Sequence, residues 1–302
     1  MMNKLEKYLI ATFILLFFND VLAESYTAEG CNKLLEKGDA VAAIAYANKL
    51  LSTNSSDKDA LLCQGRAYSV RGDFTNAVRI FELAERNSRE GLDKIVAVFL
   101  SANAHKAAKE AELALVAYQK ALQQSKAINN LGMQRLAYTS MGDIAITNHQ
   151  YTLALEHYLI SLRLAANDNE RGESSEKVAM TYHEVNEHSL AVEYQIKAYL
   201  LHGSVGTLDQ YANSSILLGR YYALDKNFVA AEKTLNKIIA FAKEQGGVYY
   251  EAKANVSLAM VKLGLGDKKA AQHLIEHALS LASLSHDKPL VEEIATETRG
   301  LL

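Results

Sequence analysis

The sequence predicts an all-α fold, a solenoid of about seven helix-turn-helix hairpins closed by a C-terminal helix. Three observations carry this. A small-large-small triplet at helical spacing recurs as Ala43/Ala47/Leu50, Ala77/Phe81/Ala84, Ala114/Tyr118/Ala121, Ala154/Tyr158/Ser161, Ala191/Gln195/Ala198, Ala231/Leu235/Ile238 and Ala271/Ile275/Ala278. The leading alanines lie 34, 37, 40, 37, 40 and 40 residues apart, the period of stacked helical hairpins. Turn signals precede several triplets, as Gly38-Asp39, Gly72-Asp73 and Gly266-Asp267: a glycine to end one helix and a polar residue to start the next. The 302 residues include one Pro and no Trp, so long helices run uninterrupted and no Pro-rich linker divides the chain.

Taken in order, Met1–Ala23 reads as a signal peptide. Lys4 and Lys7 precede an apolar run, Tyr8 to Phe18, and Val21-Leu22-Ala23 supplies a small-x-small end. The run is well short of the roughly 20 residues that span a bilayer, so the expectation is a chain cleaved after Ala23, with no membrane span, located in the periplasm or secreted. Residues 24–288 form the expected solenoid and Pro289–Leu302 its capping helix, required because a terminal repeat has no neighbour on which to bury its face.

Cys31 and Cys63 fall in the first helices of the first two hairpins. In an oxidising compartment an even pair is a disulfide candidate, worth roughly 3–4 kcal/mol for a loop of about 30 residues. Against this, Cys31 occupies the position equivalent to Gly65, whose side chain faces its own hairpin partner, and buried Cys is a good apolar filler. Both readings stay open.

Asp57–Arg89 is the clearest unit: a helix from about Asp57 to Val70, the turn Arg71-Gly72-Asp73, and a helix from Phe74 to about Asn87. Gly65, Tyr68, Ala77, Phe81 and Ala84 place small residues where helices approach and aromatics beside them. At this spacing they resemble the tetratricopeptide repeat, although Leu61 stands where that family usually has Trp and the closing Pro is absent. The resemblance implies a right-handed superhelix whose first helices line a concave groove that holds a protein or peptide partner. Carried over residue by residue, it puts Asn32, Arg66, Asn103, Asp143, Met180, Arg220 and Met260 in one groove row, with Phe99, Lys106, Thr139, His183 and Ile216 beside it. Asn32, Arg66 and Asn103 resemble part of a carboxylate clamp, but Ala28, Leu62 and Phe99 stand where its lysines would be. A groove with two arginines and several apolar residues suits an amphipathic or extended segment of some acidic character.

The formal net charge of -3 lacks the basic footprint of a nucleic-acid binder. His273-Leu274-Ile275-Glu276-His277 has the H-x-x-E-H spacing of inverted zinc peptidases. Ile275 is already committed to hairpin packing, however, and only 25 residues follow His277 to supply another ligand. Arg71-Gly72-Asp73 spells an adhesion tripeptide but occupies a position where a turn is needed. The expected function is therefore a non-enzymatic scaffold or adaptor with no metal and no cofactor. The alternatives are a polysaccharide- or cell-wall-polymer-binding assembly factor that uses some of the 16 tyrosines, and a zinc-dependent hydrolase using the final motif.

Overall fold

The computed structural model describes residues 27–301. The expected signal segment, Met1–Ala23, lies outside them. The described residues form fifteen helices and no strand. Seven hairpins follow one another: α1 (Ala28–Glu36) with α2 (Ala40–Thr53), α3 (Lys58–Val70) with α4 (Phe74–Asn87), α5 (Leu92–Ala107) with α6 (Ala111–Ala127), α7 (Leu131–Thr147) with α8 (Tyr151–Leu164), α9 (Asp168–Glu184) with α10 (His188–Val205), α11 (Leu208–Leu224) with α12 (Phe228–Gln245), and α13 (Val248–Gly264) with α14 (Lys268–Leu284). A last helix, α15 (Lys288–Thr298), covers the end, starting one residue before Pro289 and stopping short of the expected terminus. The chain divides into two compact units, unit 1 ending at Ala117 and unit 2 beginning at Tyr118, within α6. No helix among the described residues is long and apolar enough to cross a membrane.

The turn inside every hairpin is built alike. A residue of positive φ follows the first helix: Gly38, Gly72, Lys109, His149, Asn186, Lys226 and Gly266, at +57° to +81°. The next N–H donates back to a carbonyl five residues earlier, from Asp39 to Leu34 through Asp267 to Lys262, at 2.8–3.0 Å. This is the Schellman arrangement, which satisfies carbonyls that a helix end would otherwise orphan. In four hairpins the donating residue also caps the second helix, with Asp39, Asp73, Asn227 and Asp267 side chains accepting from Ala42, Asn76, Ala230 and Ala270 N–H groups. Arg71-Gly72-Asp73 is one of these turns.

All seven triplets are buried. Gly65 and Gly142 show why the first helices need small residues: a Cβ at either would lie 2.4 Å and 2.6 Å from the rings of Phe81 and Tyr158. Gln195, fully buried where other repeats place an aromatic or aliphatic residue, donates from Nε2 to the Ser214 carbonyl at 3.1 Å. At the C-terminus, Leu290 and Ile294 of α15 pack on Ala252, Val256, Ala278 and Ala282, and Asp287 caps the helix by accepting from Leu290 N–H. Burying each of those two side chains is worth roughly 1.5–3 kcal/mol.

Cys31 and Cys63 are joined by a disulfide, Cα atoms 6.3 Å apart, that ties α1 to α3. Cys31 therefore turns to the neighbouring hairpin. In hairpin 1 the small Ala47 stands where Phe81 stands in hairpin 2, and Cys31, Ala43, Ala47, Cys63 and Ala67 form one core.

Candidate functional site

In unit 2 the first helices α7, α9, α11 and α13 present side chains to two adjoining hollows. The larger, about 790 Å³, is walled by Met180 and His183 of α9, Leu217, Arg220, Tyr221 and Leu224 of α11, Lys226 of the turn and Phe228 at the start of α12, and Met260 and Gly264 of α13. Most of this wall is apolar, and its volume is in the range of small-ligand or side-chain sites. The second, about 360 Å³, lies toward the N-terminal halves of the same helices, among Arg135, Glu173, Glu176, Lys177, Gln210 and Asn213. Met180, Leu217 and Tyr221 line both.

Ion pairs between first helices, and from first helices to α15, border the two hollows. Arg135 Nε lies 3.2 Å from Glu170 Oε2 and its Nη1 3.6 Å from Glu173 Oε2. Lys177 Nζ donates to Asp143 Oδ1 at 2.9 Å, and the Tyr158 hydroxyl donates to the same oxygen at 2.8 Å. Lys253 Nζ meets Glu293 at 2.7 Å, and Arg220 Nη2 donates to Glu297 Oε1 of α15 at 3.1 Å. The partly exposed pairs among them contribute at most about 1 kcal/mol each. Tyr221 has its hydroxyl pKa raised by burial and, second, by the Glu176 charge. His183 has its pKa lowered, mainly by burial.

Glu176, Ser214 and His202 form a buried chain. Ser214 Oγ donates to Glu176 Oε2 at 2.6 Å, so its contact with His202 Nδ1, 2.7 Å away, takes the imidazole N–H as donor. His202 Nε2 has no hydrogen-bond partner and faces Gly172, where a Cβ would lie 2.6 Å from it. Ser214 is fully buried and its proton is committed to a carboxylate. The three residue types of a hydrolytic triad are present without its geometry.

The residues expected to line a groove separate by position. Met180, His183, Arg220 and Met260 wall the larger hollow, and Thr139 lines the second. Asp143 pairs with Lys177. Ile216 does not face the groove: it is buried against Ala212, Ile238 and Ala254, and Leu217 takes the groove position. In unit 1, Arg66 and Asn103 share a hollow of about 550 Å³ with Leu35, Val70, Phe74 and Leu100. Asn32, Phe99 and Lys106 are half-buried and outside its wall. Glu173, Glu176, Gln210, Asn213, Leu217 and Leu224 were not among the expected groove residues. Their signal was the helical spacing of three, four, seven and ten residues from Met180 and Arg220 along α9 and α11.

His273 and His277 are substantially exposed, and His277 Nε2 lies 3.4 Å from Glu251. No group of three His, Cys, Asp or Glu side chains placed to hold a metal occurs among the described residues, whereas a zinc site needs three or four ligands.

No family model matches the sequence, and no curated protein matches it. Solved structures do resemble the fold. The apo form of RapI superposes with a TM-score of 0.68 at 15% identity, covering 85% of this chain and 79% of that one. The C-terminal part of a TPR repeat-containing protein from Cytophaga hutchinsonii gives 0.61 at 17%, covering 88% and 98%. A chain of the Cut9–Hcn1 APC/C hetero-tetramer gives 0.59 at 18%, covering 95% of this chain and 51% of that one, so the present chain spans about half its length. At these identities the likeness establishes architecture, and it agrees with the repeat pattern in the residues: the chain is built on the tetratricopeptide-repeat fold.

Proposed function

We propose that this chain is a non-enzymatic scaffold that holds a protein or peptide partner in the groove formed by α7, α9, α11 and α13. The observation that carries the reading is the open, mainly apolar hollow of about 790 Å³ continuous with a charged one, both walled by the first helices of successive repeats. Hollows of this kind bury apolar anchors while polar neighbours fix orientation. Assembly with another chain in the Cut9–Hcn1 structure is consistent with this use of the fold. The tyrosines suit the polymer-binding alternative less well: Tyr118, Tyr158 and Tyr221 are buried, and Tyr182 and Tyr194 stack on each other with ring centroids 5.6 Å apart.

Capture from an extract of the native source, with the unmodified protein and a Leu217→Lys/Met260→Lys variant immobilised side by side, tests the proposal. A partner retained by the first and lost by the second is the expected result. Retention unaffected by the two lysines contradicts the assignment of this groove.

The proposal includes a periplasmic or secreted location. It is supported by the basic-apolar-small pattern of Met1–Ala23 and by the Cys31–Cys63 disulfide, a bond that persists in oxidising compartments. N-terminal sequencing of the purified protein is expected to begin at Glu24, and a retained Met1 contradicts it.

A further inference from the structure

The two hollows of unit 2 differ in charge demand, and the difference specifies the segment they would take. Arg220, the natural anchor for an acidic ligand, is already held by Glu297. At the other end the balance is reversed. Arg135 is shared between Glu170 and Glu173. Lys177 is committed to Asp143. Glu176 has only the Ser214 hydroxyl as a hydrogen-bond partner, with no Lys or Arg at ion-pair distance among the described residues. Its side chain is 30% exposed and lines the hollow. His202 Nδ1 lies 3.8 Å from the same Glu176 oxygen, and the Ser214 hydroxyl bridges the two.

We infer that the groove takes an extended peptide carrying a basic side chain at Glu176 and a large apolar side chain in the hollow beside Leu217 and Met260. This rests on the groove being the binding surface. The spacing follows from helix geometry. Glu176 and His183 are seven residues apart on α9 and mark the two hollows, which separates them by about 10 Å at 1.5 Å per residue. An extended chain covers that in about three residues at 3.3 Å each. Arginine suits the first position better than lysine: its planar fork can meet the Glu176 carboxylate while its stem lies along Met180 and Leu217.

The test uses the full chain and peptides of sequence Gly-Ser-Arg-Ser-Ser-Phe-Ser-Gly carrying fluorescein on the N-terminal amine and amidated at the C-terminus, with the arginine replaced by alanine or by glutamate in two others. Fluorescence anisotropy is expected to show the arginine peptide binding at least tenfold tighter than the glutamate one, with the alanine peptide between. In Glu176→Gln the arginine peptide is expected to fall to the affinity of the alanine peptide, which itself stays unchanged. If the glutamate or alanine peptide binds the unmodified chain as tightly as the arginine peptide, the inference is overturned while the groove reading stands. If none of the three binds at millimolar concentration, both are overturned.

Discussion

Arg66 in unit 1 and Arg220 in unit 2 occupy the same place in their repeats, each on a first helix and each walling an apolar hollow. Their chemistry differs. No carboxylate among the described residues lies at ion-pair distance from Arg66, which is exposed. Arg220 is held at 3.1 Å by Glu297, a residue 77 positions along the chain. Position in the repeat thus decides which side chains reach a groove, and distant parts of the chain decide what charge they still have to offer. The units are also stabilised differently. Ion pairs link first helices in both units, Lys58 of α3 with Asp93 of α5 in unit 1, but only unit 1 among the described residues adds a covalent tie, between α1 and α3.

The largest expected effect separates the units by that tie. Replacing both Cys31 and Cys63 by serine is expected to cost unit 1 roughly 3–4 kcal/mol, from the loop entropy of a crosslink spanning 32 residues. Denaturant unfolding should show the loss in unit 1 alone. An equal loss reported from unit 2 would show that the two do not unfold separately. Smaller, and common to both units, is the close approach of the hairpin helices. Gly65→Ala in unit 1 and Gly142→Ala in unit 2 each drive a methyl group into an aromatic ring and should cost about 1–3 kcal/mol by thermal unfolding. Unchanged melting would mean that the helices separate more readily than the packing indicates.

Below these come the turns. Gly72→Ala puts a Cβ on a residue at φ +76° and is expected to cost about 1–2 kcal/mol, although nothing lies within 4 Å of the added atom. Lys226→Gly, at φ +61°, should stabilise unit 2 by roughly 0.5–1 kcal/mol, the relief being partly offset by glycine's greater freedom when unfolded. Acid sharpens the contrast further. Burial is the main cause of the lowered pKa values of His157 and His183, both in unit 2, so the unfolded chain takes up protons that the folded unit refuses. Stability from these groups is complete above the ordinary histidine value of about 6.5 and is lost as pH falls through the lowered folded values. Unit 2 should therefore melt earlier at pH 5 than at pH 7, and Phe at both positions should remove that part of the pH dependence.

The fold was legible because its signals are local. The seven triplets set the hairpins, and α4 runs from Phe74 to Asn87 as its sequence indicates. Glycine marked only three of the seven turns. Lys109, His149, Asn186 and Lys226 hold the same left-handed backbone without it, since the Schellman hydrogen bonds constrain the turn whatever residue stands there. The groove was legible in part. Met180 and Arg220 were placed by register, but Ile216 was not, because four residues along a helix turn it about 40° to one side and three residues about 60° to the other. On α11 the groove lies on the side of Leu217, leaving Ile216 in the core. The expected acidic character of the partner rested on Arg66 and Arg220, and the pairing of Arg220 with Glu297 exists only in the folded chain.

The most direct measurement is site-specific photocrosslinking in a native extract, with benzoylphenylalanine placed at Leu217 in the groove or at Val229, which is 82% exposed on the second helix of the same hairpin. A covalent adduct with a single partner is expected from position 217 and none from 229. Adducts from 229 without any from 217, or none from either, would contradict the groove assignment.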